Sequence, residues 1–170
     1  RGIYRGKLTR AEAEARIAQI WHPYHRKLKQ LMDGARADFG QAVLLDFHSM
    51  PHEALDSVAR TGVPRPQVVL GDRFGASASS DVVDVLEQGF LEAGLVVSRN
   101  APFAGAYITQ RYGRPAKAHH AIQVEIDRQL YMDEQMVRPN SDFESTKQMI
   151  AQVLARVIGA LPGRVPLAAE

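Results

Sequence analysis

Residues 42–51 read Ala42-Val-Leu-Leu-Asp-Phe-His-Ser-Met-Pro51, and no other run limits what the chain can fold into so strongly. A short apolar run bounded by turn residues is the pattern of a buried strand. On a strand, Leu44, Asp46 and His48 share one face, while Val43, Leu45 and Phe47 share the other. The run therefore carries a carboxylate and an imidazole to a sheet edge. In open α/β sheets ligands bind outside the carboxyl ends of the strands. A second strand, Ala121-Ile-Gln-Val-Glu-Ile-Asp127, carries Glu125 in a similar way. A histidine and a glutamate so placed suggest a metal ligand and a general base.

The surrounding pattern gives those strands a context. Thr9-Arg-Ala-Glu12 has the form of a capping box. Ile17, Ile20, Trp21, Tyr24, Leu28, Leu31, Met32 and Ala35 follow at helical spacing, and Gly40 is placed to stop the helix. Residues 51–66 form a polar loop punctuated by prolines, of the length that often serves function. Residues 67–70 read as a strand leading into a glycine-bracketed loop. A helix then opens near Ser80, with Val82, Val83, Leu86, Phe90 and Leu91 on its buried face. Residues 95–98 form a further strand, and residues 108–112 a helical turn. Ser141-Asp-Phe-Glu144 has the form of a second capping box, opening a helix with Phe143, Ile150, Val153, Leu154, Val157 and Leu161 inward. Pro162-Gly163 should end it. The alternation of strands and helices predicts an α/β fold: a three-layer sandwich around a mostly parallel central sheet. Residues 1–170 form one domain, with no repeat or linker.

Composition excludes several classes. Formal net charge is +2, with no clustered basic and aromatic footprint for nucleic acid. The absence of cysteine rules out disulfides, thiol catalysis and thiolate zinc sites, and fits a reducing compartment. No apolar run approaches the ~18 residues of a membrane span, and no signal peptide opens the sequence as given. We therefore expect a cytoplasmic chain that binds neither nucleic acid nor membrane. Its oligomeric state is not readable from the sequence. The sequence opens at Arg1 without methionine, as a processed end, a cut boundary or the later part of a longer protein would.

Each candidate residue has a plain alternative. A lone histidine is more often structural than a ligand, and His48 gains mainly from Asp46, which can orient a neighbour. Gln123, Glu125 and Asp127 form either the wet face of an edge strand or the lining of a cleft. The loop Gly71-Asp-Arg-Phe-Gly75 offers free amides and Arg73 to an anion, or is simply a tight turn. Arg99, Asn100 and Gly105 follow the third strand, and Arg111, Arg114 and Arg128 are further cations. His119 and His120 read as structural, His22, His25 and His52 lack ligand spacing, and Tyr4, Trp21 and Tyr24 read as packing residues.

The order of motifs resembles the N-formylglutamate amidohydrolase family. The matching segments are Ile3-Tyr-Arg-Gly-Lys-Leu8, Trp21-His-Pro-Tyr-His25, Leu45-Asp-Phe-His-Ser49, Leu70-Gly-Asp-Arg-Phe-Gly75, Asn100-Ala-Pro-Phe-Ala-Gly105 and Gln123-Val-Glu-Ile-Asp-Arg-Gln-Leu-Tyr-Met-Asp133. The resemblance implies a phosphorylase/hydrolase-like fold related to the zinc carboxypeptidases. It also implies zinc-dependent hydrolysis of N-formyl-L-glutamate, or a similar small N-acyl acidic amino acid, in histidine degradation. It makes His48 a zinc ligand and Glu125 the general base and acid. Arg73, Asn100 and Arg128 would hold substrate carboxylates. An N-terminal histidine motif and acidic residue that complete the family's zinc site have no counterpart here. The resemblance therefore places this chain as the C-terminal part of a longer enzyme, inactive or weakly zinc-binding alone. Three further readings stay open: a non-catalytic module for acidic ligands, a pseudoenzyme or subunit completed by another chain, and a zinc peptidase acting on an acidic C-terminus.

Overall fold

A computed structural model describes residue 4 and residues 6–161. The Pro162-Gly163 stop and part of the Ile3–Leu8 motif lie outside them. Thr9 and Glu12 form the expected capping box and open α1 (Arg10–Arg16). A π-helical turn over Ile17–Trp21 joins it to α2 (His22–Phe39), and Gly40 ends α2 in the left-handed conformation at φ 81°. The strands are β1 (Ala42–Met50), β2 (Val68–Gly71), β3 (Val97–Arg99) and β4 (His119–Asp127). Helices α3 (Ser80–Glu92), α4 (Tyr107–Tyr112) and α5 (Phe143–Ala160) connect or follow them. A small hairpin of β5 (Met132–Asp133) and β6 (Arg138–Pro139) precedes α5.

The main sheet has the order β1-β4-β2-β3. β1 pairs parallel with β4 and β2 parallel with β3, while β2 and β4 meet antiparallel. The sheet is thus mostly parallel, as expected. β4 lies inside it and is buried along almost its whole length, so the edge-strand reading of Glu125 does not hold.

Each face has its own cover. Val68, Leu70, Ile122, Val124 and Ile126 pack against Val82, Val83, Leu86 and Phe90 of α3 and against Val153 and Val157 of α5. On the other face, Ala42, Ala121 and Leu44 pack under Met32 and Leu28 of α2 and Tyr112 and Ile108 of α4. A third cluster on that face joins Met50, Leu55, Val69 and Phe103, with Leu55 supplied by a 3-10 turn over His52–Val58 inside the expected loop.

Several local expectations need correction. Leu91 is 42% exposed, because the buried stripe of α3 follows residues 82, 83, 86 and 90. The box at residues 141–144 does not form. Asp142 is the N-cap without a side-chain bond, and its amide donates to Asn140 Oδ1 at 2.9 Å. On the first helical segment only the stripe through His25, Leu28, Met32 and Ala35 meets the sheet layer. Ile17, Ile20, Tyr24 and Leu31 face outward.

Phe90 is fully buried at the centre of the largest cluster. Phe90→Ala is expected to lower the unfolding free energy by about 3–5 kcal/mol, read from urea denaturation. A loss under ~1 kcal/mol would mean that α3 does not anchor the core as described.

Candidate active site

Between the two apolar clusters on the α2 side of the sheet lies a polar window. In the parallel β1–β4 ladder, Asp46 is opposite Gln123 and His48 is opposite Glu125. Strand alternation puts all four side chains on that one face. The two residues singled out at strand ends are therefore neighbours across one ladder. β1 itself runs two residues past His48, so the histidine sits within the strand rather than at its end.

His48 is about half exposed, and its Nε2 lies 3.1 Å from Asp46 Oδ2. A carboxylate at that distance steers the ring from its Nε2 side and leaves Nδ1 on the side away from Asp46. Asp46 thus orients the imidazole, as its spacing suggested.

Glu125 is 8% exposed. Burial raises its carboxyl above the ordinary range, and the neighbouring His48 and the hydrogen bond from Gln123 partly offset this. Gln123 is the component that sequence reading passed over. Its Nε2 donates to Glu125 Oε1 at 2.8 Å, and its Oε1 accepts from the amide of Ala106 at 3.0 Å. Only the Gln-x-Glu spacing hinted at this, since Ala106 is distant in sequence.

The other singled-out residues border this window. Arg73 adopts φ 55°, and its amide donates to Ala104 O at 2.8 Å, which ties the Arg73 loop to the segment that holds Gln123. Asn100 is committed to the same loop. Its Oδ1 accepts from the amides of Asp72 and Phe74, and its Nδ2 donates to Asp72 Oδ1 at 2.6 Å. Arg128 follows β4 directly and donates to the Ser49 hydroxyl and carbonyl at 3.3 and 3.2 Å, beside His48. Its charge helps to lower the Glu125 carboxyl, weakly compared with His48.

His120 accepts from the Ser79 amide at 3.1 Å and so is structural. Trp21 does pack, edge-on to His22 and beside His25, whereas Tyr4 and Tyr24 are largely exposed. His52, which lacked ligand spacing, bonds the buried Asp127 at 2.7 Å through Nδ1.

The family model for N-formylglutamate amidohydrolase matches residues 1–132. The chain belongs to that family. It is 34% identical over 157 residues to the N-formylglutamate deformylase of Pseudomonas putida, covering 88% of this chain and 55% of that protein. The corresponding deformylase of Pseudomonas aeruginosa is 33% identical over 169 residues, 93% of this chain and 60% of that protein. The crystal structure of N-formylglutamate amidohydrolase from Ralstonia eutropha JMP134 superposes with a TM-score of 0.80 at 34% identity, over 92% of this chain and 57% of that one. A protein of Agrobacterium tumefaciens shares the fold at a TM-score of 0.58 and 19% identity, over 90% of this chain and 56% of that one. The chain thus spans somewhat over half the length of the relatives it matches. No helix among the described residues is long and apolar enough to cross a membrane.

The residues present do not by themselves fit a zinc ion. Among the described residues no group of three or more histidine, aspartate or glutamate side chains could hold a metal, and a catalytic zinc takes about three protein ligands. His48 offers one donor.

The raised Glu125 carboxyl has a thermodynamic consequence. Between the ordinary carboxylate pKa and the raised one, the folded chain keeps a proton that the unfolded chain has released. The contribution of Glu125 to stability should therefore be fully present below about pH 4 and be lost as pH rises through the raised value. Glu125→Gln keeps an acceptor for Gln123 but cannot titrate. In chelator-washed protein its urea midpoint should decline less than that of the parent from about pH 4 to neutrality. Parallel declines would show that Glu125 has an ordinary pKa.

Proposed function

We propose that this chain is the part of an N-formyl-L-glutamate amidohydrolase that carries the general base, and that the complete enzyme releases formate and glutamate. The observation that carries this reading is the register of His48 with Glu125 on one face of a parallel ladder, with the glutamate buried. Burial makes Glu125 a stronger base than a solvated carboxylate. It takes one proton from the attacking water as the water oxygen bonds to the formyl carbon. It then gives that proton to the departing nitrogen as the C–N bond breaks. The glutamate part of the substrate brings two carboxylates, for which Arg73 and Arg128 on opposite sides of the window are the cationic partners, while Asn100 shapes the Arg73 loop. Zinc is the metal we propose for the complete enzyme, with His48 as one ligand. The remaining donors would come from polypeptide equivalent to the part of the relatives that this chain does not span.

A second reading has one observation in its favour. The described residues hold no three-ligand cluster, as a metal-independent module for acidic ligands would not need one. Formate release from N-formyl-L-glutamate separates the two. It would be measured on this chain alone and on this chain preceded by the N-terminal part of the Ralstonia relative. We expect turnover only in the joined form, with loss of activity after chelation and recovery with zinc. Absence of turnover in both forms, with glutamate binding that ignores chelator, would favour the binding module.

In the joined form Glu125→Gln should reduce kcat about a hundredfold or more. Near-normal turnover in that variant would remove Glu125 from the role of base.

A further inference from the structure

A second concave site lies on the same side of the sheet as the polar window, at the opposite end of the β1–β4 ladder. It is a cavity of about 460 Å³ between the middle of α2, the end of α4 and the turn that leads into β4. Lys29, Asp33, Arg111, Arg114, Lys117 and His119 line its walls. Four of these six are lysine or arginine and one is a carboxylate. The local excess is larger than the formal +2 of the entire chain. Met32 and Tyr112 give it an apolar floor.

The wall is fixed before any ligand arrives. Arg114 and His119 exchange backbone hydrogen bonds, Arg114 N to His119 O at 2.7 Å and His119 N to Arg114 O at 3.2 Å. Within this closed turn the Lys117 amide bonds Arg114 O at 2.8 Å, and Ala118 takes a left-handed φ of 54°. The Arg111 guanidinium is held 5.0 Å above the Trp21 ring and 5.8 Å from that of Tyr112. Arg114 is clamped by its bond to Gln110 O at 2.8 Å.

The polar groups of this wall are unevenly satisfied. Asp33 is already hydrogen-bonded to Lys29, so it neutralises little else. His119 Nε2 is shielded from solvent and has no hydrogen-bond partner, with Asp33 Oδ1 no nearer than 3.7 Å. The recess thus presents the exposed cations Arg111, Arg114 and Lys117 on a preformed wall, where an anion can reach them. The volume falls in the range of small-molecule sites.

We propose that this cavity binds a compact multivalent anion, of the phosphate or polycarboxylate class, independently of the His48–Glu125 window. Guanidinium groups on a rigid turn suit the forked geometry of either anion.

The test is titration of the chain with inorganic pyrophosphate and, separately, with citrate at low ionic strength. Binding would be followed by calorimetry and by amide NMR shifts. Saturable one-to-one binding is expected, with shifts confined to residues 111–119 and to α2 around Lys29. Tighter binding of one probe assigns the phosphate or the carboxylate class. Lys117→Glu alters an exposed side chain of the turn and should leave the fold intact while weakening affinity about tenfold or more. Arg73→Ala, on the other loop, should leave affinity unchanged. Non-saturating uptake, equal affinity in Lys117→Glu, or shifts centred on residues 71–75 or 125–128 would each overturn the proposal.

Discussion

The parallel pairing of β1 with β4 is the constraint on which the candidate site depends. Side chains alternate with a period of two, so a slip of β1 by one residue would turn His48 away from Glu125 and send Asp46 and His48 into the α3–α5 layer. Hydrophobic patterning prevents that slip. Ile122, Val124 and Ile126 must lie under α3 and α5 with Val43 and Leu45 beside them. Once those residues face one layer, Asp46, His48, Gln123 and Glu125 have to face the other. The polar window is thus specified by the apolar residues between its members.

Burying a carboxylate in that window is unfavourable, and the fold answers with a directed donor. A backbone N–H can only donate, so the Ala106 amide compels Gln123 to turn its oxygen toward the loop and its NH₂ toward Glu125. The donor is therefore held by the chain itself and does not depend on a free rotamer. Bringing Ala106 so close requires two glycines. A Cβ on Gly71 would lie 2.5 Å from Gly105 N, and Gly105 itself has φ 100°. Any side chain at Gly71 would push the 104–106 segment away from Gln123 and loosen Glu125 from its partner.

The sequence shows some of this directly and hides the rest for physical reasons. The first capping box and the Gly40 stop are local signals and form as read, and the strands form in the expected places, though β1 runs on to Met50 and β3 starts only at Val97. Glu125 and His48 could be chosen singly from strand-end chemistry, but their adjacency is a pairing fact that no local pattern encodes. Gln123 was visible only as the third residue of a polar face, because its partner Ala106 arrives through a loop. The second capping box failed because Asn140 offers Asp142 a competing local bond, of the kind that asparagine makes at turns. The exposed flank of Ile17, Ile20, Tyr24 and Leu31 shows the limit of periodicity: helical spacing identifies an apolar side without saying what covers it.

The antiparallel meeting of β2 with β4 changes where ligand groups can come from. In a fully parallel sheet all the strand-end loops would gather at one edge. Here β2 and β3 run against β1 and β4, so the Arg73 and Asn100 loops leave the sheet near Gly71, opposite Gln123, while Arg128 leaves beyond Asp127. The loops that carry these cations therefore leave at opposite ends of the window, with Glu125 between them. Under the proposed function, an N-acyl glutamate would lie along β4 with its two carboxylates toward the two ends and the acylamino group on its Cα brought to Glu125. A ligand with a single carboxylate could be held at one end only, free to swing its reactive bond away from the base. Under the proposed function, the spacing between the two cationic ends, more than the shape of an apolar pocket, would select the length of the substrate.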